Sequence, residues 1–381
     1  MFKKWKKDKM NKEKIILGMV KDFAKNEIGD FDMEIDSKRR IPDDLFKKLL
    51  HYEFLGLNVP HQFGGLELPL TCISDIIETI ATANASVAVM LEGHIKTVYQ
   101  LLRFGNAELT NEYMASALQS IFAFAMTEST GGSNPSFIRT KAEKMPNGDW
   151  CLTGNKIMIT NGGLADVYVV MAKRTDNNKL SFFVVDKTMS GFSVTEQEKF
   201  IGLKGVPVGG IALNHVIVPE YHQLDMTNYD KLSIADSAHA DARILMGAVL
   251  SGIQKHTLNE VINYAKKRMA GNQRLYEIQA IQRKITDIVT GYRTTQLLYQ
   301  KAAQLRDQDA DDYFQIATMA KAYGSRTAVQ SGDDAMQAFG AYGFSQDFPI
   351  AHLISDARAL EYAEGSVEKM RIEISNFEVN R

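Results

Sequence analysis

The sequence predicts an α+β multidomain protein in which one β domain lies between two helical domains. Three observations carry this prediction: helical apolar spacing in the first third, short β-rich runs in the middle, and long apolar stripes in the last third. A chain of 381 residues, 45% of them hydrophobic, can bury a large core in two or three domains. We expect a helical domain over 1–120, a β domain over 121–229 and a helical bundle over 230–381.

The first domain is expected to be helical from about Lys12 to Ser120. Its apolar residues recur at helical spacing, as in Ile15, Met19, Phe23, Ile73, Ile76, Ile77 and Ile80. The chain starts with basic residues, like a signal peptide, but the apolar run that follows at 15–20 is too short for secretion or for spanning a membrane. We interpret the early lysines as the solvated face of the first helix.

The middle domain is predicted from runs of β-branched and aromatic residues separated by turn residues. The runs are IFAFAM, DVYVVMA, LSFFVVD and IALNHVIV, and the connections include PNGD, TDNN and GLKGVPVGG. A small β domain is therefore expected between Ile121 and about Val218.

The last domain is predicted from three apolar stripes at helical spacing. The first contains Leu245, Val249, Gly252, Ile253, Leu258, Val261, Ile262 and Ala265; the second contains Ile278, Ile281, Ile285, Ile288 and Tyr292; the third contains Ile316, Met319, Ala320 and Tyr323. Long stripes of this kind indicate a packed helical bundle.

Composition excludes several classes of partner. The formal net charge of −2 arises from a mixed charge pattern, so we predict no nucleic-acid partner and no membrane association. Cys72 and Cys151 support neither a disulfide framework nor a zinc site, which favours a reducing, cytoplasmic location. His256 and Glu260 form one His-x-x-x-Glu pair without any Glu-x-x-His repeat, so no metal site is predicted.

Two segments of the β domain carry side chains suited to a ligand. MTESTGGSN, at 126–134, combines hydroxyl groups with a Gly pair that lets backbone N–H groups approach a phosphate or a flavin. KIMITNGG, at 156–163, places Thr160 and Asn161 at the end of a strand. Taken alone, both segments are most simply turns at a sheet edge.

The third segment is Glu364 followed by Gly365 and Ser366, near the end of the last helical stretch. A carboxylate here can serve as a catalytic base. Equally, a Glu near a helix terminus is usually solvated or acts as a cap, and a Gly usually marks a chain reversal. The residues alone leave both interpretations open.

Taken in order, these segments resemble the signatures of the acyl-CoA dehydrogenase family, and the resemblance covers essentially the whole chain. The family's T-E-P-x-A-G-S-D with a following basic-Thr pair is matched by Thr127, Glu128, Gly132, Ser133, Arg139 and Thr140. W-I-T-N-G is matched at 159–162, and a helical signature by Arg243, Gly252, Tyr264, Ala265 and Arg268. The family's fourth signature is Q-x-x-G-G-x-G-Y followed by a Pro and by Asp-Ala-Arg. It is matched by Gln337, Gly340, Gly343, Phe344, Pro349 and 356–358. The family's Glu-Gly-Thr falls on 364–366 without a gap.

The resemblance implies a β-barrel or sandwich middle domain, a C-terminal four-helix bundle and FAD held between them. It implies an enzyme that removes the α proton of an acyl thioester with Glu364, while a hydride leaves the β carbon for FAD, giving a trans-2-enoyl product. Desolvation by the bound acyl chain is expected to raise the pKa of Glu364. Arg243 is expected to help position Glu364, although an ion-pairing or capping role is an equal interpretation.

The resemblance also implies the cofactor contacts. They are Met126, Thr127, Gly132, Ser133, Met158, Thr160 and Ser366 within one subunit, and Arg268, Gln337, Gly340 and Ala341 reaching the FAD of a neighbouring subunit. A homotetramer or homodimer is therefore expected. The substrate is expected to be a thioester of CoA or of acyl carrier protein, and the electron acceptor an electron-transfer flavoprotein or a similar protein.

The chain departs from the family pattern at several positions. Met158 replaces the aromatic of W-I-T-N, and Ala341 replaces the second Gly of the Gly pair. Ala270, Gly271 and Asn272 stand in place of the usual Gln-Phe-Gly after Arg268, and Ala363 replaces a Tyr before the base. Some members place the base just before the Arg matched by Arg243; here that residue is Ala242, which cannot accept a proton.

Three alternatives to an acyl-CoA dehydrogenase stay open at this point. An acyl-carrier-protein-linked dehydrogenase and an oxygen-using oxidase both fit the residues named above. A non-catalytic relative that binds acyl thioesters is disfavoured, because it would not need Glu364 opposite a flavin site.

Overall fold

The N-terminal part of the chain is helical, as the apolar spacing predicts. The computed structural model of the protein describes residues 9–130, 132, 135–225 and 234–379. The helices are α1 (Lys9–Phe23), α2 (Asp32–Lys38), α3 (Asp43–His51), α4 (Leu70–Ala81), α5 (Ala85–Phe104) and α6 (Ala107–Tyr113). Asn84 caps α5 by accepting a hydrogen bond of 3.0 Å from the N–H of Val87. Since most residues of α5 are buried, this helix runs through the interior.

The middle of the chain forms a curled sheet. Within the described residues it contains seven strands: β1 (Phe122–Ala125), β2 (Lys141–Lys144), β3 (Trp150–Ile159), β4 (Val167–Arg174), β5 (Leu180–Asp186), β6 (Phe192–Val194) and β7 (Gly209–Val218). The strand order is β1-β4-β2-β3-β7-β6, and β5 pairs with β4. β4 is parallel to β1 and β2, and its pairing with β5 is antiparallel. The four β-rich runs become β1, β4, β5 and β7, whereas the short strands β2 and β6 carried no such run.

The C-terminal part is a helical bundle, as predicted. Its helices are α7 (Ile234–Lys267), α8 (Gln279–Asp307), α9 (Tyr313–Phe339), α10 (Ile350–Ala359) and α11 (Val367–Val379), and a hairpin of β8 (Met269–Ala270) and β9 (Gln273–Arg274) joins α7 to α8. Gly252 lets α7 approach α4, because a Cβ at this position would lie 2.5 Å from the Cβ of Ala81. None of the described helices is long and apolar enough to cross a membrane.

A buried polar network joins the three parts of the chain. His352 of α10 contacts Asp32 of α2 through Nε2 at 3.0 Å and Asp356 through Nδ1 at 3.4 Å. Asp356 also accepts a hydrogen bond from the backbone N–H of Leu203, in the loop between β6 and β7. This network fixes α10, and so the residues that follow it, against the middle domain. The predicted boundary at 229–230 lies outside the described residues, and the division into domains stays a prediction.

Candidate active site

A cavity of about 630 Å³ lies where α5, the sheet, α7 and the segment after α10 meet. Its volume is within the range of small-molecule and cofactor sites. The cavity brings together six of the residues predicted from the sequence, namely Met126, Thr127, Gly132, Met158, Thr160 and Glu364. Residues separated by more than two hundred positions in the sequence therefore meet at one site.

One wall of the cavity contains Met126, Thr127 and Gly132, and a buried ion pair holds this wall in place. Lys156 lies 2.7 Å from Glu128 and also donates to the carbonyl oxygen of Met126 at 3.0 Å. Glu128 in turn accepts hydrogen bonds from the backbone N–H groups of Arg139 and Thr140 at 2.7 and 3.1 Å. These contacts explain why Glu128 and the pair at 139–140 occur together in the signature. Sequence reasoning missed Lys156.

A second wall is the turn after β3. Asn161 is buried with φ of 67°, and its side-chain amide donates to the carbonyl oxygen of Met90 in α5 at 2.9 Å. A Cβ at Gly93 would lie 2.9 Å from the Cγ2 of Thr160, so the turn rests directly on α5. The Met158 side chain is 46% exposed, which leaves it available to cover a planar ligand.

Glu364 follows α10 in a backbone conformation that L-residues rarely adopt, with φ of 55°, and Gly365 continues it with φ of 97°. Such strain persists where the surroundings determine it, and it occurs often at functional sites. Arg243, which is buried in α7, reaches the carbonyl oxygen of Glu364 at 3.3 Å rather than its carboxylate. The other bonds of Arg243 go to Thr318 at 2.8 Å and Glu373 at 2.7 Å. Arg243 therefore contacts the backbone of the predicted base and does not line the cavity.

The carboxylate of Glu364 has two cationic or ionisable partners that the motif comparison missed. Lys96 of α5 contacts one carboxylate oxygen of Glu364, and His239 of α7 lies 3.1 Å from the other through Nδ1. Glu92, one turn before Lys96, is fully buried, with an oxygen 3.5 Å from the Lys96 ammonium. The sequence signal for this pair was the spacing of two opposite charges, four residues apart, in a mostly apolar part of α5.

These partners set the pKa of the Glu364 carboxyl group. Burial raises the pKa of Glu364, but the Lys96 ammonium and the His239 ring outweigh burial and hold it well below its ordinary value. Burial and the charge of Glu364 together raise the pKa of Glu92 to about 8, although Lys96 opposes them. The rise in the pKa of Glu364 that is expected when an acyl chain binds stays a prediction, because it concerns the complex with substrate.

The other predicted site residues lie elsewhere. Gln337, Gly340 and Ala341 are exposed at the end of α9, and the exposed guanidinium of Arg268 lies 5.7 Å from the ring of nearby Tyr342. Ser366 starts α11, where its hydroxyl accepts a hydrogen bond of 3.3 Å from the N–H of Lys369. None of these residues lines the cavity. Ser133 lies outside the described residues.

The cavity wall fits the polar edge of a flavin. A Cβ at Gly132 would lie 3.0 Å from the Cγ2 and 3.2 Å from the hydroxyl oxygen of Thr127, so the glycine keeps this hydroxyl open to the cavity. The apolar side chains of Met126, Ile157 and Met158 line the cavity together with the polar Thr127 and Thr160. A wall of apolar side chains with a few polar groups is what a flavin ring requires.

Comparisons with known proteins agree with this geometry. Residues 10–120, 123–216 and 232–377 match the N-terminal, middle and C-terminal domains of acyl-CoA dehydrogenases. An acyl-CoA dehydrogenase of Bacillus subtilis (strain 168) is 32% identical over 365 residues, which cover 94% of this chain and 96% of that protein.

Two solved structures extend the comparison to the fold. Butyryl-CoA dehydrogenase from Megasphaera elsdenii has a TM-score of 0.91 at 24% identity, covering 96% of this chain and 98% of that one. PigA with FAD and proline has a TM-score of 0.88 at 26% identity, covering 96% and 97%. With its matches to all three family domains, the chain belongs to the acyl-CoA dehydrogenase family and is an FAD-dependent oxidoreductase.

Proposed function

We propose that the protein dehydrogenates an acyl thioester between its α and β carbons, with Glu364 as the base that removes the α proton. One observation carries the proposal: the Glu364 carboxylate lines the same cavity as Met126, Thr127 and Thr160. A base and a flavin-binding wall that line one cavity are what this reaction needs.

The chain's own residues then have distinct roles. Glu364 accepts the α proton, and Arg243 holds the backbone of Glu364 through its carbonyl oxygen. Thr127 and Thr160 offer hydroxyl groups to the cofactor, and Glu128 with Lys156 fixes the loop that carries Thr127. FAD, when bound, supplies the hydride acceptor for the β carbon.

The substrate we propose is an acyl-CoA with a hydrocarbon acyl group. Val89 of α5, Met246 of α7 and Leu360 line the cavity together with Glu364, and apolar side chains of this kind accommodate an alkyl group. A carrier-protein thioester presents the same acyl group to the same walls. The two substrates differ only outside the cavity, and so they are separated by experiment below.

We further propose a homotetramer with a separate electron-transfer flavoprotein as acceptor. The exposed cluster of Arg268, Gln337, Gly340 and Ala341 lies outside its own subunit's cavity, which supports a role toward the FAD of a neighbouring copy. On this proposal, Arg268→Ala lowers FAD affinity, and light scattering gives the mass of four chains. A monomeric protein that binds FAD normally contradicts this arrangement.

The test is an anaerobic titration of the FAD-loaded protein with butyryl-CoA, octanoyl-CoA, isovaleryl-CoA and the same acyl groups on acyl carrier protein. We expect the CoA thioesters to bleach the visible flavin absorbance and to yield the 2-enoyl product. Bleaching by the carrier-protein thioesters alone would identify a carrier-linked enzyme. A yellow protein that no thioester reduces would contradict the proposed reaction. Admitting air to the reduced enzyme distinguishes an oxidase, which reoxidises rapidly, from a dehydrogenase.

A further inference from the structure

A charged pair that the proposed reaction does not use lies beside the cavity. Glu92 and Lys96 lie on one face of α5, four residues apart, and Lys96 lines the cavity beside Val89. A buried ammonium and a buried carboxyl group are costly features in a wall that otherwise suits an alkyl chain. Their presence beside the predicted base calls for a role of their own.

We propose that Lys96 is shared by two carboxyl groups, Glu364 and Glu92, of which one is ionised at a time. In this arrangement Lys96 and Glu92 are positioning residues: when Glu364 takes up a proton, Glu92 becomes the counter-charge of the ammonium. The inference rests on the proposed function, because that function is the reason why Glu364 takes up a proton.

The geometry supports sharing. The Lys96 ammonium contacts a Glu364 oxygen directly and lies 3.5 Å from Glu92, which is an ion-pair separation but longer than an ordinary hydrogen bond. Within the described residues, neither carboxyl oxygen of Glu92 has a hydrogen-bond partner, and its side chain is fully buried. A carboxylate in that position without a close partner would carry a large desolvation cost, so Glu92 is protonated while Glu364 holds Lys96.

Other charged groups around Glu364 come from every neighbouring element. His239 of α7 contacts the second carboxylate oxygen at 3.1 Å, and Arg243 contacts the backbone carbonyl at 3.3 Å. Lys321 of α9 donates to the carbonyl oxygen of Gly365 at 2.9 Å. Arg358 and Lys369 line the cavity as well. Among these groups, Lys96 is the one that contacts the carboxyl groups of both Glu364 and Glu92.

The proton balance is simple. The α C–H bond of the substrate breaks, its electron pair stays on carbon, and the proton bonds to a Glu364 oxygen. Glu92 then loses its carboxyl proton to solvent, so that the cluster keeps one carboxylate for its one ammonium. The opposite exchange restores the resting state when Glu364 releases its proton.

The test is an infrared titration of the carboxylic-acid C=O band in the FAD-loaded protein, and it needs no turnover. The wild-type protein should show a buried acid band that titrates near pH 8 and is missing in Glu92→Gln. Glu364→Gln imitates the protonated base. Because it removes the neighbouring negative charge, the titration midpoint of Glu92 should fall by one pH unit or more, which is about tenfold or more in its ionisation constant.

Two further variants make the outcome decisive. In Glu364→Gln/Lys96→Met the ammonium is gone, and the midpoint should rise again above that of Glu364→Gln. Glu78→Gln alters a buried carboxyl group of α4 outside the cavity and should leave the band unchanged. An unchanged Glu92 midpoint in Glu364→Gln would overturn the inference. Failure of every thioester to reduce the flavin would instead contradict the proposed function, so the two failures are distinguishable.

Discussion

At the residue scale, the central feature is a predicted base whose charge is set by a lysine from a different part of the chain. Glu364 and Lys96 are 268 positions apart in sequence, and the folded chain brings them into contact. A carboxylate this strongly paired stays ionised at acidic pH, which keeps it ready to accept a proton. The same ion pair makes Glu364 a weaker base. The contact between Lys96 and Glu364 therefore has to break during the reaction.

Lys96→Met is predicted to shift the pH dependence of flavin reduction. Without the ammonium, burial raises the pKa of Glu364 against a weaker opposing effect, mainly from His239, so the acidic limb of the rate profile should move up by about 1–3 pH units. Stopped-flow reduction by the best thioester at several pH values measures this shift. Lys284→Met, which removes a lysine paired with Asp334 at the bundle surface, is the matched control. Superimposable profiles for Lys96→Met and the parent would contradict the role of Lys96.

Glu92→Gln is predicted to stabilise the folded protein. The pKa of Glu92 is about 8 in the folded state and 4.5 in its ordinary environment, so stability is lost as the pH rises through that window. Gln does not ionise, and the variant should gain roughly 2–3 kcal/mol in the free energy of unfolding at neutral pH. Denaturant titrations at pH 5 and 8 should show the difference growing with pH. A Glu92→Gln variant that is less stable than the parent at pH 8 would contradict a neutral, unpartnered Glu92.

At the element scale, the cavity depends on how the turn after β3 rests on α5. Asn161 links the two elements, because its amide bonds the carbonyl oxygen of Met90 while its backbone holds φ of 67°. Asn is among the residues that tolerate this conformation. The close approach at Gly93 leaves no room for a side chain between α5 and Thr160.

Asn161→Ala is predicted to destabilise the protein by about 2–3 kcal/mol, since it adds backbone strain and removes the buried hydrogen bond to the carbonyl oxygen of Met90. Asn161→Gly keeps the positive φ accessible and removes only the hydrogen bond, so its loss should be smaller. Denaturant midpoints of the three proteins measure both effects. Equal losses in the two variants would show that the backbone conformation contributes nothing.

Gly132→Ala is predicted to weaken FAD binding about tenfold, which corresponds to about 1.4 kcal/mol. The added methyl group would meet Thr127 at 3.0–3.2 Å and press its hydroxyl away from the cavity. Fluorescence titration of the apoprotein with FAD measures the affinity. The same substitution at Gly18, an exposed residue of α1 whose Cβ would meet nothing within 4 Å, controls for a general effect of glycine replacement. Unchanged FAD affinity in Gly132→Ala would show that this wall does not face the cofactor.

At the scale of the whole molecule, the network of Asp32, His352 and Asp356 holds the three parts of the chain together. Burial lowers the pKa of His352, but its hydrogen bonds to Asp32 and Asp356 outweigh burial and raise it to about 10. The charged His352 therefore contributes stability that is fully present below its ordinary pKa of 6.5 and is lost as the pH rises through about 10.

His352→Gln is predicted to cost about 3–5 kcal/mol at neutral pH, because it leaves two buried aspartates without their charged partner. The stability of the parent protein should decline between pH 6.5 and 10, and the variant should not show this decline. Unfolding midpoints across this pH range test both statements, and His215→Gln, at an exposed histidine of β7, is the control. A His352→Gln protein with the parent's pH dependence would show that another group is responsible.

Much of this architecture could be predicted from the sequence. The helical and β patterns of the sequence correspond to helices and strands of the structure, and the motifs that were recognised by their order meet at one cavity. Met126, Thr127, Thr160 and Glu364 were predicted as one site from the order of their motifs, and they line one cavity. The strands β2 and β6 were missed because they are short and β2 consists largely of charged residues. Lys96, Glu92 and His239 were missed for a different reason: their importance follows from tertiary contacts with Glu364, and no local pattern records such contacts.

The role of Glu364 as the base is tested most directly by stopped-flow reduction of the flavin. The best thioester is used with the wild-type protein, Glu364→Gln and Glu361→Gln. Glu361 lies three residues earlier, where it pairs with Arg358, and serves as the matched control. We expect Glu364→Gln to bind FAD and the thioester normally but to reduce the flavin at least about a thousandfold more slowly, while Glu361→Gln stays near the wild-type rate. Reduction by Glu364→Gln at a rate close to wild type would contradict Glu364 as the base.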